Sequence, residues 1–439
     1  MSPSGGLGRS DSPYDRGLVA TTPVAPFRRV SQRSSREDRR VPAFLFPGQG
    51  SQRPGMGRPW TEHPSWELVH DASDASGRDL ARLLLEADAD ELTATRNAQL
   101  ATLTMSLVVL DAVERLGIEP TVCAGHSLGE YSALIAAGTL GFEDGLHLVA
   151  ERGEAMQDAA DAAPGIMTVV AGCDAETVDI ACRLADGDVW LANYNSATET
   201  VIAGERQAVE RAGRWARTLG ATSLAPVAVG GAFHTPLMDP ARSRLRKALA
   251  ALTFHAPDLP VVANVDALAH SVAGDWELLL TAQMCSPVRW RQSLLRLGGL
   301  TADADTRHLF VELGPGGALS RMVRQTLPAM TAVSVSTPDD LDGLVDAVAG
   351  NTALRAFAAG HQGEHLYVSE RMVISPGPGL FEPADSAPAT EAAVDVGTLL
   401  GSVAGREVRS PFSGWLMGML AHPGERVQTG QPIAWLRAS

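Results

Sequence analysis

An α/β fold followed by a small all-β domain is what this sequence predicts, and three observations predict it. Gly125-His126-Ser127-Leu128-Gly129 is a GxSxG turn between the apolar stretch Thr121 to Ala124 and a helix-like stretch from Glu130 to Gly138. Residues 166–229 read in the order strand, helix, strand, strand, helix, strand. Near the end, the pattern VxSPxxG…VxxG occurs twice, once in a shortened form, which signals two β-rich halves rather than more helix–strand alternation.

The elements follow in chain order. The first 40 residues hold eight arginines among Ser, Gly and Pro and read as a disordered basic tail. Asp11, Asp15, Glu37 and Asp38 interrupt it, unlike an organelle transit peptide. From Val41 to about Pro164, short apolar strands alternate with helical patterns, as in a parallel sheet with crossover helices. Phe44-Leu45-Phe46 runs into the loop Pro47-Gly48-Gln49-Gly50-Ser51-Gln52, which places Gln49 to donate hydrogen bonds. The GxSxG turn reads as a nucleophile elbow in an α/β-hydrolase-like lobe: a strand turning sharply into a helix holds the Ser127 hydroxyl clear of the backbone, and the flanking glycines give room for the strain. A bland strand-to-helix connection uses the same residue types, so the turn alone does not decide.

Glu151-Arg152-Gly153 puts an arginine after the apolar helix-like run Gly145 to Ala150, where a plain amphipathic helix would also carry one. The βαββαβ order that follows is that of a ferredoxin-like subdomain, spanning about residues 165–230, with its last strand expected over residues 223–229. It interrupts the larger lobe, so the active site is expected in the cleft between the two. Gly230-Gly231-Ala232-Phe233-His234-Thr235 then presents His234, a candidate base, at the end of an apolar segment. From Pro236 the larger lobe resumes and runs to about Gly350, giving one interrupted domain over residues 41–350.

These segments, in this order, resemble the malonyl-CoA:acyl carrier protein transacylase family, the acyltransferases that load fatty-acid and polyketide synthases. The resemblance extends over roughly residues 41 to 350. It includes Asn193-Tyr194-Asn195-Ser196 followed by Val201-Ile202-Ala203-Gly204, Gln283 with Ser286-Pro287-Val288, and Glu312-Leu313-Gly314-Pro315-Gly316. It implies that Ser127 attacks a malonyl thioester, that His234 takes its proton and later returns one to the leaving thiol, and that the backbone amides of Gln49 and Leu128 form the oxyanion hole. It also implies that Arg152, 25 residues after the serine, takes the free malonyl carboxylate with a two-pronged guanidinium contact. In this family a main-chain carbonyl orients the histidine, and Gln283 matches that position, so no acidic third member is needed. Phe233, just before the histidine, accompanies malonyl selection in the related polyketide acyltransferases, where serine accompanies methylmalonyl. Gly231 departs from that polyketide pattern, which has a histidine there, and the segment looks more like the stand-alone bacterial transacylases. Gln99 matches a pocket glutamine of the family, and a surface glutamine would read the same way.

Composition bounds the rest. At 439 residues, two or three domains are expected. A hydrophobic content of 45% and a mean hydropathy near zero describe a soluble globular chain, with no stretch approaching the length of a transmembrane helix. The net charge of −15 argues against nucleic acid as a partner. Cys123, Cys173, Cys182 and Cys285 lack metal or redox spacing, which suggests a reducing, cytoplasmic compartment. No metal and no cofactor are expected. The expected partners are malonyl-CoA and an acyl carrier protein, with no membrane.

The two repeat copies are Val373 to Gly379 with Val396-Gly397, and Val408 to Gly414 with Val427 to Gly430. They resemble the halves of a biotinyl/lipoyl-like barrel, expected over residues 372–439 after a linker over 351–371. That family carries a modified lysine on the hairpin joining the halves. Here the joining segment Val403 to Val408 has none, and the sole lysine of the chain is Lys247, so neither biotin nor lipoate can be attached to the barrel. Docking to a carrier, a partner enzyme or another copy, or simple stabilisation, are its expected roles. His361 and His365 in the linker are four apart but lack a third metal ligand. A serine hydrolase is the mechanistic rival to a transacylase, since elbow and histidine serve both, and a non-catalytic scaffold working through the barrel is the third reading.

Overall fold

Pro42-Ala43-Phe44-Leu45-Phe46 is apolar on both faces, the signature of a strand covered on both sides, and it lies in the middle of a sheet. The computed structural model describes residues 40–300, 307–349, 370–384, 386–390, 392–428 and 431–437. The expected basic tail and linker, with His361 and His365, lie outside the described residues except at their edges: Arg40 opens the first strand, and Glu370 and Arg371 open the first strand of the C-terminal region.

The strands, in chain order, begin with β1 (Arg40–Phe46) and β2 (Val122–Gly125). Next come β3 (Ile166–Ala171), β4 (Val189–Tyr194), β5 (Glu199–Gly204) and β6 (Ser223–Pro226). The large lobe then contributes β7 (Val261–Val262), β8 (Ala269–His270), β9 (Arg307–Leu313) and β10 (Thr331–Val335). One sheet has the order β10-β9-β1-β2-β7-β8, parallel throughout except for β8. Its centre is β1 paired with β2, register Phe46 to Gly125, so the loops that leave both strands at their carboxyl ends are neighbours. In open α/β sheets that end is where ligands bind.

The segment between Gly165 and Val227 forms its own sheet, β4-β5-β3-β6, all antiparallel, with the helices Ala175–Leu184 and Arg206–Thr218 packed on a separate core that includes Val170, Val178, Ile202 and Val209. Its last strand stops at Pro226, short of the expected residue 229. Past Pro226 one further bond joins β3, Val227 N–H to the Met167 carbonyl at 3.0 Å, and the chain then turns out of the sheet, Val229 N–H donating to the Val227 carbonyl at 2.9 Å. The segment is stitched to the large lobe through β4, where Tyr194 N–H donates to the Val288 carbonyl and Val288 N–H to the Ala192 carbonyl, both at 2.9 Å.

The C-terminal strands are β11 (Glu370–Ile374), β12 (Gly379–Pro383), β13 (Ala393–Val394), β14 (Leu399–Val403), β15 (Arg406–Arg409), β16 (Gly414–Met419), β17 (Arg426–Val427) and β18 (Pro432–Arg437). They form two four-stranded antiparallel sheets, β11-β18-β16-β13 and β15-β14-β12-β17. Replacing β11 by β15, β12 by β16, β13 by β17 and β14 by β18 turns one sheet's pairings into the other's. The repeated SerPro behaves identically in both copies: Ser375 Oγ donates to Gly377 O at 2.6 Å and Ser410 Oγ to Phe412 O at 2.7 Å, and both serines are buried. The halves meet at the turn Ala404-Gly405, where both residues have positive φ, as a two-residue hairpin of right-handed twist requires. No helix among the described residues is long and apolar enough to cross a membrane.

Candidate active site

Ser127 sits between β2 and the helix Gly129–Ala136 with φ at +53°, a left-handed conformation for a residue with a Cβ. The turn is tight enough to demand both flanking glycines. A Cβ at Gly125 would fall 1.9 Å from the Gly129 carbonyl carbon, and one at Gly129 would fall 2.0 Å from the Phe46 oxygen. A Cβ at Gly48 would lie 2.4 Å from the His126 oxygen, so the loop after β1 is pressed onto the elbow.

Against this elbow the structure gathers every candidate of the sequence reading. Ser127 Oγ lies 2.7 Å from His234 Nε2, and His234 Nδ1 lies 2.9 Å from the Gln283 carbonyl oxygen. A carbonyl can only accept, so Nδ1 carries the ring proton and Nε2 is left to take one from the serine. Burial, helped by the Arg152 guanidinium, pushes the His234 pKa down to about 3, so the ring stays neutral. Phe233 is buried beside it, and both line a cavity of about 250 Å³ that also reaches Gln49, Ser127, Met156 and Asn195. The Ser127 amide is occupied by Asn264 Oδ1 at 2.7 Å. The amides of Gln49 and Leu128 make no hydrogen bond among the described residues and so are available to a ligand.

Arg152 does not follow a helix as its local sequence suggested; it lies midway along the helix Phe142–Ala162, on the buried face. It is 1% exposed, which removes the surface-arginine alternative. Nη1 donates to Gln99 Oε1 at 2.6 Å, and Nη2 donates to Gln283 Oε1 at 3.1 Å and to Ser127 Oγ at 3.2 Å. The guanidinium lies 5.2 Å from the Tyr131 ring centre, and its Nε has no partner among the described residues. No carboxylate among the described residues forms an ion pair with it. Gln99 is fully buried, so the surface-glutamine alternative falls as well; its Nε2 faces Met156 Sδ at 3.2 Å.

The sequence reading missed three participants. Asn264, in the loop after β7, accepts from the Ser127 amide and donates to the Gly125 carbonyl at 2.7 Å, clamping the elbow from both sides. Glu130, fully buried on the first turn of the elbow helix, accepts from Asn264 N at 2.8 Å and from Gln283 Nε2. Burial raises its pKa to about 7. His126 Nε2 contacts Asn195 Oδ1 at 3.3 Å, and Asn195 Nδ2 donates to Glu199 at 3.0 Å, so the elbow also touches the small lobe. Glu130 opens the helix-like stretch that follows the serine, but nothing local marks an asparagine 137 residues away as a clamp.

An elbow serine bonded to a neutral histidine in a cleft between two lobes defines a serine acyl-transfer enzyme or hydrolase. The acyl transferase domain family matches residues 43–351, and the chain belongs to that family. The chain is 40% identical over 305 residues to the malonyl CoA-acyl carrier protein transacylase of Bacillus subtilis (strain 168), covering 68% of this chain and 95% of that protein. It is 38% identical over 305 residues to the Escherichia coli (strain K12) protein of the same name, covering 67% and 96%. Among solved structures, the acyl carrier protein S-malonyltransferase of Vibrio cholerae matches with a TM-score of 0.65 at 36% identity, covering 69% of this chain and 99% of that one. A malonyl-transacylase solved in complex with its type II PKS acyl-carrier protein matches with a TM-score of 0.66 at 36% identity, covering 71% and 100%.

Proposed function

We propose that the protein is an acyl-carrier-protein S-malonyltransferase, moving malonyl from malonyl-CoA to the phosphopantetheine thiol of an acyl carrier protein for fatty-acid or polyketide synthesis. In the first half-reaction Ser127 Oγ attacks the thioester carbonyl while His234 Nε2 takes its proton. The oxyanion so formed is held by the amides of Gln49 and Leu128, each such donor contributing about 3 kcal/mol in comparable sites. Collapse expels coenzyme A, whose sulfur takes the proton back from His234, and malonyl remains as an ester on Ser127. In the second half-reaction the carrier thiol gives its proton to His234 and attacks that ester, the Ser127 oxygen leaves and is reprotonated by His234, and malonyl-carrier departs. The Gln283 carbonyl keeps the imidazole in the tautomer both halves need.

One observation carries the reading: a fully buried guanidinium lies 3.2 Å from the nucleophile with only neutral partners. A site that holds such a charge unneutralised favours an acyl group that brings a carboxylate. Phe233 lines the cavity beside His234, and Gln99 Oε1 holds the Nη1 prong of the fork. The test is single-turnover chase of malonyl-enzyme. Holo-acyl carrier protein should collect the malonyl group as a thioester, and release as free malonate with or without carrier would replace the transferase by a hydrolase.

The finer architecture belongs to the same proposal. The large lobe is α/β-hydrolase-like, residues 165–230 form an inserted ferredoxin-like subdomain, and residues 372–439 form a biotinyl/lipoyl-like barrel that docks rather than carries. The strand order β4-β5-β3-β6 around two helices supports the second assignment, and the exchange relation between the two C-terminal sheets supports the third. The turn Ala404-Gly405 lies where a swinging lysine would stand, and Lys247 is instead on the helix Asp239–Leu249. A chain ending at Ala349 should still acylate itself; loss of self-acylation would mean that the barrel completes the catalytic fold. Residence in the cytoplasm, where coenzyme A thioesters are handled, is part of this reading.

A further inference from the structure

Two fully buried charges near the nucleophile, Arg152 and Glu130, do not touch: the side-chain amide of Gln283 stands between them. Its Oε1 accepts from Arg152 Nη2 at 3.1 Å, and its Nε2 donates to Glu130 Oε2 and, at 2.9 Å, to the Ser127 carbonyl. The other Glu130 oxygen accepts from the Asn264 amide at 2.8 Å. Both neighbours of Glu130 are thus donors, and a carboxylate with two acceptor oxygens is the group that satisfies both. With Nε2 held by Glu130 and the Ser127 carbonyl, Gln283 can present only its oxygen to Arg152.

We propose that Glu130 is a specificity-determining positioning residue: acting through Gln283, it supplies the counter-charge that lets Arg152 stay buried and ionised, yet keeps that charge one amide away, so that the guanidinium is left to an acyl group carrying its own carboxylate. The proposal deepens the malonyl reading of this site and rests on it. A carboxylate bonded directly to Arg152 would neutralise the arginine and compete with malonyl. No countercharge at all would leave the guanidinium uncompensated in the absence of substrate. Placement at one remove avoids both. Arg152 and Asp266 are the charged groups that act on Glu130, the arginine favouring its ionised form and Asp266 opposing it.

Glu130→Gln is a sharp test because it keeps the shape and breaks the pattern. An amide offers one acceptor and one donor group, so whichever way it turns, a donor meets either Asn264 N–H or Gln283 Nε2–H. If Gln283 turns over to relieve the clash, its amide group faces Arg152 and repels it. Self-acylation by malonyl-CoA should fall by about 10- to 100-fold, and the preference for malonyl over acetyl by at least about tenfold. Protonation of Glu130 removes the counter-charge and adds an O–H that neither Asn264 N–H nor Gln283 Nε2–H can accept. Wild-type malonyl loading should therefore decline as pH falls through about 7, and this limb should be absent from the residual activity of Glu130→Gln. His234, at about 3, contributes no limb in that range.

A second variant, Glu130→Gln with Gln283→Glu, moves the carboxylate onto Arg152 directly. The ratio of malonyl to acetyl acylation, read within that variant, should lose the wild-type preference for malonyl. Three results would overturn the inference: Glu130→Gln with unchanged preference and pH profile, equal losses for malonyl and acetyl, or a malonyl-selective double variant. Failure of the wild-type chain to load malonyl in the same assay would instead bring down the functional reading beneath it, and the two failures are told apart by that control.

Discussion

Ser127→Ala is expected to abolish the covalent malonyl adduct and to lower loading of an acyl carrier protein by about 10⁴- to 10⁶-fold, the range seen when the nucleophile of a serine-histidine pair is removed. The effect should be purely chemical. Alanine keeps the Cβ that already occupies the left-handed position at φ +53°, so no new backbone strain arises, and the clamp from Asn264 is made to the main chain, which the substitution leaves alone. What disappears is the one hydroxyl 2.7 Å from His234 Nε2. Heat denaturation should show a folded protein close to wild type. A variant that still acquires an acid-stable malonyl group at another residue would show that Ser127 is not the nucleophile.

Arg152→Ala is expected to lower malonyl loading by about 30- to 5,000-fold, equivalent to roughly 2–5 kcal/mol for a truncated buried charge partner. Acetyl-CoA offers nothing to the guanidinium, so acetylation should fall far less and the selectivity should collapse. The mutation also strips donors from Gln99 Oε1 and Gln283 Oε1, both in buried surroundings, and each orphaned acceptor costs about 1–3 kcal/mol unless water enters the space. Some loss of thermal stability is therefore expected alongside the loss of selectivity. Rates with the two thioesters, compared within the variant, separate the two effects, since instability lowers both alike. Retention of malonyl selectivity would remove Arg152 from the role of carboxylate clamp.

The parts of this site that can be read in the sequence are those dictated by short-range sterics. Gly125 and Gly129 are forced by contacts within the elbow itself and with the adjoining strand β1, so the turn betrays its conformation in five letters. The apolar run before Gln49 marks a buried parallel strand in the same way, and the repeated SerPro announces two equivalent turns that the C-terminal sheets contain. Arg152 and Gln99 are different. Their spacing pointed to the site, but a helical arginine or glutamine reads equally as surface, and only the packing of the helix Thr95–Arg115 against the helix Phe142–Ala162 buries both.

Glu130 is the clearest case of a residue seen and not understood. A glutamate in the first turn of a helix is usually a solvated complement to the helix dipole. Its actual partners, Asn264 and Gln283, lie 134 and 153 residues away and approach only when β7 and the helix Trp276–Gln283 are in place. The end of β6 has a local cause instead: the alternation of residues 223–229 continues, but the Val229 N–H is taken by the Val227 carbonyl and the chain turns there.

Intact-protein mass measurement after brief exposure to malonyl-CoA or acetyl-CoA, with peptide mapping of the product, tests whether Ser127 carries malonyl from coenzyme A to an acyl carrier protein. The expected result is one malonyl group on Ser127, little or no acetyl group under matched conditions, and discharge of the malonyl group on adding a holo-acyl carrier protein. Equal labelling by both thioesters, a label elsewhere than Ser127, or decay to free malonate untouched by the carrier would contradict it.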